Sequence, residues 1–308
     1  LYAMRINLRS VLAISAISLI TFVSAAVAQD AKIIPVAIVS DESPKERIAY
    51  SGKLRMLTQR IPSAACALSS GIDPNGSAKL LNESIVEFEK ILSALEFGDG
   101  DLKIQSAETR RMTIEKIHET REIWMPFKEA ATALVSGATS TDNLQFLLDE
   151  NLAVLGSAQT LVSELVEQYS TSPTTVQAEL FLIDIAGRQR MLTQKMSKES
   201  CMITTGTGTA DTVEALQSTM QMFELSLEAL RFGMPELGIR KPPTPAISEG
   251  LGEVLVEWEA VKPLLDSALA GEKLDADLST QKFQALNITM AKMNEVVIMY
   301  AEASDKKI

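Results

Sequence analysis

The chain has 308 residues, of which 46% are hydrophobic but only 5% aromatic, and its formal net charge is -11. This acidity argues against a nucleic acid or an anionic membrane as a partner over most of the surface. Apolar residues recur with helical spacing, and no alternating strand pattern with turn pairs is present, so the pattern indicates an all-α protein.

The N-terminal segment, residues 1–28, is predicted to be a signal peptide. Arg5 and Arg9 form a short basic region, residues 11–23 are an apolar run, and a small-residue stretch ends at Ala28, where cleavage is expected. The apolar run is shorter than the ~20 residues of a membrane-spanning helix, although an uncleaved anchor is the alternative. We therefore expect export, to a bacterial periplasm.

The remainder of the chain consists of two similar repeats, with an offset of 135 residues. GKLRMLTQRI begins at Gly52 and GRQRMLTQKM begins at Gly187. At the same offset Cys66 matches Cys201, and the two tryptophans match within one residue. A register held over this length indicates a duplication.

Each repeat divides at Gly, Pro and Asp residues into four amphipathic segments. The first repeat spans 44–172, with segments at 44–70, 76–97, 105–136 and 141–169. The second repeat spans 176–304, with segments at 176–204, 209–232, 244–270 and 277–303. Segments of this length with short connections predict two tandem antiparallel four-helix bundles related by duplication, joined by a hinge at residues 170–173.

The first helix of each repeat has two distinct faces. The apolar face is formed by Leu57, Ile61, Ala64 and Leu68, and in the second copy by Leu192, Met196 and Ile203. The other face follows steps of four and three, and contains Ile48, Gly52, Arg55, Gln59, Pro62 and Cys66, then Ile183, Gly187, Arg190, Gln194, Ser197 and Cys201. A helical glycine costs roughly 0.5–1 kcal/mol relative to alanine, which suggests close approach of a backbone or ligand. Arginine offers a planar fork of donors to an anion, or it can simply extend into solvent.

The stretch AGRQRMLTQKMSKE resembles the opening helix of the PilJ-type sensor domain of type IV pilus chemotaxis transducers. It is also similar to the P-box of the nitrate/nitrite sensor kinases NarX and NarQ, in which facing helices of two subunits hold the anion with Gly-x-x-Arg elements. The resemblance implies a fused dimer with Gly52, Arg55, Gly187 and Arg190 as ligand-binding residues. Gln59 and Gln194 lie one turn further along and could add neutral donors to the same ligand. The alternative is that the bundles sit end to end, each with its own site. The first copy departs from the pattern at Pro62, which is expected to kink or open its helix.

The two cysteines occupy equivalent positions on the same stripe. Cys66 and Cys201 could form a disulfide in an oxidising compartment. The interpretation that the sequence favours is two buried small hydrophobic residues in separate bundles. Asp184 stands where the first repeat has Ala49, and it is expected to be a solvated charge or a partner of Arg188.

Patterns for catalysis are not found in the sequence. His118 is the only histidine, and it is expected at the surface of a third helix. Its single Glu-x-x-His motif cannot form a di-iron site of the bundle type, which needs two. We therefore predict no enzymatic activity, no cofactor and no metal site.

The sequence leads to two hypotheses of different classes. The first is a periplasmic ligand-binding sensor that binds a small anion, with nitrate or nitrite favoured, and reports to a membrane-bound sensor kinase or methyl-accepting transducer. The second is a non-enzymatic envelope or pilus-related interaction or scaffold protein that binds no small molecule. Self-association into a homo-oligomer is compatible with both hypotheses.

Overall fold

The computed structural model describes residues 43–137, 141–170 and 177–305. These residues form eight α-helices and no strand, which confirms the all-α prediction. The helices are α1 (Pro44–Ser69), α2 (Pro74–Phe97), α3 (Arg111–Val135), α4 (Thr141–Ser170), α5 (Gln177–Thr205), α6 (Ala210–Phe232), α7 (Pro245–Leu269) and α8 (Ala276–Asp305). The predicted signal peptide and residues 171–173 of the predicted hinge lie outside the described residues. None of the described helices combines the length and the apolar character needed to cross a membrane.

The helices of each repeat form a closed set of four. In the first set, α1 packs on α2 and α4, and α3 packs on the same two helices; α5 to α8 repeat this arrangement. The two sets meet where α1 packs along α5, which is the most extensive contact between any two described helices. This α1–α5 contact, here called the seam, makes the two four-helix sets one compact unit.

Aromatic pairs occupy corresponding places in the two cores. The rings of Phe88 and Trp124 stack with centroids 3.9 Å apart, and Phe223 and Trp258 lie tilted at 4.8 Å. In both halves the indole N–H donates to a glutamate of the neighbouring helix. Such pairs contribute about 0.5–1.5 kcal/mol beyond the burial of their area. The duplication is therefore visible in the packing as well as in the sequence.

Two prolines behave differently from the predictions. Helix α2 begins at Pro74, earlier than predicted, because the Asp73 carboxylate accepts the backbone N–H of Gly76 at 3.2 Å and proline suits the first helical position. Helix α1 continues through Pro62 without the expected opening. Packing of α1 against α2, α4 and α5 holds its backbone helical at this residue, although proline removes one N–H donor.

The start of α3 also differs from the prediction. It begins at Arg111 rather than at residue 105, because the buried Glu108 side chain binds the adjacent backbone. Its Oε1 atom accepts the backbone N–H groups of Thr109 at 2.8 Å and Arg110 at 2.9 Å. A side chain that accepts hydrogen bonds from the backbone N–H groups of the following residues competes with helix formation there.

Candidate functional site

The seam brings together the two glycines and two arginines of the repeated motif. A Cβ atom placed on Gly52 would lie 3.3 Å from Nη2 of Arg55 and 3.5 Å from Nη2 of Arg190. A Cβ atom on Gly187 would lie 3.4 Å from Nη2 of Arg190 and 3.6 Å from Nη2 of Arg55. The glycines therefore leave the space into which both guanidinium groups, here called the arginine pair, project.

Arg55 has an ionic partner inside the protein. Its Nη2 atom donates to Oδ1 of Asp184 at 2.7 Å, and its Nη1 atom donates to Oε1 of Gln159 at 2.8 Å. The other carboxylate oxygen of Asp184 accepts from Arg188 at 3.1 Å, as the spacing of four residues suggested. The expectation of a solvated Asp184 was wrong, because its carboxylate lies in the seam with only 9% of its side chain exposed.

Arg190 has the same surroundings as Arg55 except for the carboxylate. Its Nη1 atom donates to Oδ1 of Asn294 at 2.7 Å, and its Nη2 atom donates to the backbone carbonyl of Ala49 at 3.0 Å. Asn294 and Ala49 are the repeat counterparts of Gln159 and Asp184. Because alanine carries no carboxylate, the acceptors to which Arg190 donates within the described residues are neutral. The buried Nε atoms of Arg55 and Arg190 both have no hydrogen-bond partner there.

Electrostatics distinguish the two members of the arginine pair. Burial lowers the pKa of Arg190 to about 9, and the neighbouring charge of Arg55 acts in the same direction. Burial also lowers the pKa of Arg55, but the Asp184 carboxylate opposes that shift. The charge of Glu87, which is paired with Lys53, opposes the shift of the Arg190 pKa only in part. A buried cation without a carboxylate in hydrogen-bond reach is unfavourable, so an anion beside Arg190 would be stabilised.

Arg190 forms part of the wall of an open pocket of about 310 Å³. The pocket lies between α1, α8 and the loop that follows α2, and its other lining residues are Glu46, Ala49, Tyr50, Lys53, Leu102, Lys103, Asn294, Val297, Ile298, Ala301 and Glu302. Of this whole set, sequence reasoning singled out only Arg190 as a binding residue. Asn294 could have been found at the repeat offset, since residues 159 and 294 are both side-chain amides.

The two glutamines of the stripe are buried but bind elsewhere. Gln59 accepts from the buried Lys198 ammonium at 2.9 Å, and Gln194 donates to Asn287 at 3.2 Å. Neither amide is hydrogen-bonded to the arginine pair. Their suggested role as additional donors to a ligand therefore stays a prediction.

The cysteines are joined across the seam. Cys66 of α1 and Cys201 of α5 form a disulfide, with Cα atoms 6.3 Å apart. The interpretation favoured from the sequence, two thiols in separate bundles, was wrong because the facing helices bring the Cα atoms within the usual range of about 4.4–6.8 Å. The disulfide therefore links the two halves through the same two helices that carry the arginine pair.

The described side chains suit an anion better than a metal ion. Among residues 43–137, 141–170 and 177–305, no three His, Cys, Asp or Glu side chains gather into a metal site. His118 is exposed and pairs with Glu96 at 2.8 Å. The groups that meet at Gly52 and Gly187 are guanidiniums, which donate hydrogen bonds and cannot ligate a cation.

Comparison with known proteins gives matches in both repeats. The PilJ family, described as the N-terminal part of type IV pili methyl-accepting chemotaxis transducers, matches residues 38–148 and 181–283, more than half of the chain. The chain is also similar to the methyl-accepting chemotaxis protein McpN of Pseudomonas aeruginosa, with 32% identity over 126 residues. That alignment covers 41% of this chain and 22% of the relative, so the likeness concerns a minor part of that protein. The chain therefore belongs to the PilJ family.

Proposed function

We propose that this protein is a periplasmic sensory protein that binds one small anion at the arginine pair. The proposal rests on the surroundings of Arg190. Its buried guanidinium donates to two neutral acceptors within the described residues and forms part of a pocket wall. A bound anion would supply a charged acceptor in direct contact and accept charge-assisted hydrogen bonds.

The duplicated chain favours a single, asymmetric site. The likeness to NarX and NarQ points to nitrate or nitrite held between two Gly-x-x-Arg elements. In this chain, however, the Asp184 carboxylate lies 2.7 Å from Nη2 of Arg55 and takes the place of an anion on that side. We infer that one anion binds per chain and that Arg190 contributes most of the attraction.

Family membership supports a role in chemotaxis signalling. We propose that ligand occupancy is reported to a membrane-bound methyl-accepting transducer or sensor kinase. The pocket is lined by α1, α5 and α8, and α1 and α5 form the seam between the halves. A ligand there would favour one packing of the seam, which is a recognised way for a binding event to change a distant surface.

The test is isothermal titration calorimetry with nitrate, nitrite, chloride, sulfate and acetate. We expect the wild-type protein to bind one anion per chain. We expect Arg190→Met to lose most of the affinity for that anion. The control is Arg240→Met, which removes the same charge from an exposed position and should bind as the wild type does. Two anions per chain would contradict the single site. No heat and no thermal shift with any anion would reject the proposal and favour the scaffold hypothesis.

A further inference from the structure

On the opposite side of the seam, the chain itself supplies the groups that the pocket beside Arg190 lacks. There the Asp184 carboxylate bonds Arg55. One turn earlier on the same helix, Phe181 stands at the repeat counterpart of the pocket residue Glu46, and its ring lies 4.0 Å from where a Cβ atom of Gly238 would be. On that side the chain thus places a carboxylate on one guanidinium and an aromatic ring at the loop residue Gly238, whereas the other guanidinium is next to the pocket.

The size and the walls of the pocket suit more than an inorganic anion. Its volume of about 310 Å³ is at the lower end of the range for small-molecule sites, ~300–1,000 Å³. A water molecule takes about 30 Å³ in the liquid, so a three-oxygen anion would leave most of the pocket filled with water. Much of the wall is apolar, formed by Tyr50, Leu102, Val297, Ile298 and Ala301.

The charged lining residues limit the ligand to one anionic end. Lys103 adds positive charge at the pocket, which favours entry of an anion, whereas the charge of Lys53 is paired with Glu87. Glu302 also lines the pocket, and its carboxylate would repel a second negative group on the ligand. The arrangement therefore combines Arg190 and two lysines with an apolar wall and an acidic residue.

We propose that the ligand is a monocarboxylate with a short aliphatic chain, its carboxylate on Arg190 and its chain along the apolar wall. This inference rests on the proposed anion binding and names the class of the anion. Ala49 is the residue that makes the site available, because its counterpart Asp184 supplies a carboxylate to the other guanidinium.

Calorimetry with acetate, butyrate, hexanoate, succinate and nitrate tests the ligand class. Each methylene buried against the wall should tighten binding roughly fourfold, so hexanoate should bind more tightly than butyrate and butyrate more tightly than acetate. Succinate should bind more weakly than butyrate because the Glu302 carboxylate would repel its second carboxylate. Equal affinities for acetate and hexanoate, or tighter binding of nitrate than of hexanoate, would overturn the inference while leaving anion binding at Arg190 intact. No heat with any anion would reject the proposed function as well.

Two variants test the placement of the ligand. Ala49→Asp should give Arg190 the carboxylate that Arg55 already has, and should lower hexanoate affinity by roughly tenfold or more. The control is Ala49→Asn, which has the same size without the charge. It should bind hexanoate with an affinity within about threefold of the wild type. Ile298 is 49% exposed, so Ile298→Ser should fold normally, weaken hexanoate severalfold and leave acetate unchanged. Unaltered hexanoate binding in both Ala49→Asp and Ile298→Ser would overturn the inference.

Discussion

The two members of the arginine pair should respond in opposite ways to the same substitution. Methionine can replace either side chain without a charge and with a similar flexible stem. In Arg190→Met, a buried charge with neutral acceptors is removed. In Arg55→Met, the carboxylate of Asp184 loses its partner at 2.7 Å inside the seam. We expect the first variant to be more stable than the wild type and the second to be less stable.

The magnitude follows from burial. Burial lowers the pKa of Arg190 from its usual high value to about 9, so at neutral pH its charge favours the unfolded state. At ~1.36 kcal/mol per pKa unit this is about 5 kcal/mol, from which two lost hydrogen bonds at about 1 kcal/mol each must be subtracted. Arg190→Met should therefore raise the free energy of unfolding by about 2–3 kcal/mol. Breaking a buried pair costs ~3–5 kcal/mol, and Arg55→Met should fall at the lower end because Arg188 remains on Asp184.

Urea denaturation followed by tryptophan fluorescence measures both effects, since each half contains one buried tryptophan. The titration must be done without added ligand, because an anion bound to the native state would stabilise the wild type alone. Arg240→Met serves as the exposed control and should stay within about 0.5 kcal/mol of the wild type. If Arg190→Met destabilised the protein as much as Arg55→Met, Arg190 would have a counter-charge of its own, and the reasoning for an anion site would fail.

Three further predictions concern the seam and the buried cations. The Cys66–Cys201 disulfide closes a loop of 135 residues, so its reduction should lower the free energy of unfolding by up to about 5 kcal/mol. A urea midpoint that is the same with and without a phosphine reductant would contradict this. Burial lowers the pKa of Lys198 and of Lys282 to about 8, below the unfolded value of 10.5, so stability should rise between pH 8 and pH 10 by up to about 3 kcal/mol per lysine. The Lys198→Met/Lys282→Met variant should show a flatter profile over this range. Gly52→Ala should weaken anion binding in calorimetry because its Cβ atom would lie 3.3 Å from a guanidinium nitrogen, while melting temperature should change little since alanine favours the helix by ~1 kcal/mol.

Most of the fold could be predicted from patterns that are local in the sequence. Hydrophobic periodicity and the punctuation by Gly, Pro and Asp predicted eight helices, and most ends agree with the structure within one or two residues. The late start of α3 was missed because it depends on hydrogen bonds from the backbone N–H groups of Thr109 and Arg110 to the Glu108 carboxylate, which periodicity does not register. The repeat offset also identified both glycines and both arginines of the seam, because duplication keeps equivalent residues on equivalent helix faces.

Asp184 shows where the sequence alone was insufficient. Its bond to Arg188 was anticipated, because residues four apart lie on the same face of any helix. Its bond to Arg55, which is 129 residues away, exists only because α5 packs along α1. The disulfide and the Asn294 contact to Arg190 depend on the same packing. The sequence by itself determined the helices, the duplication and the repeated Gly-x-x-Arg elements, since these follow from spacing along one chain segment. Only the tertiary structure decided which guanidinium is neutralised within the protein and which lines a pocket, because that depends on distances between helices.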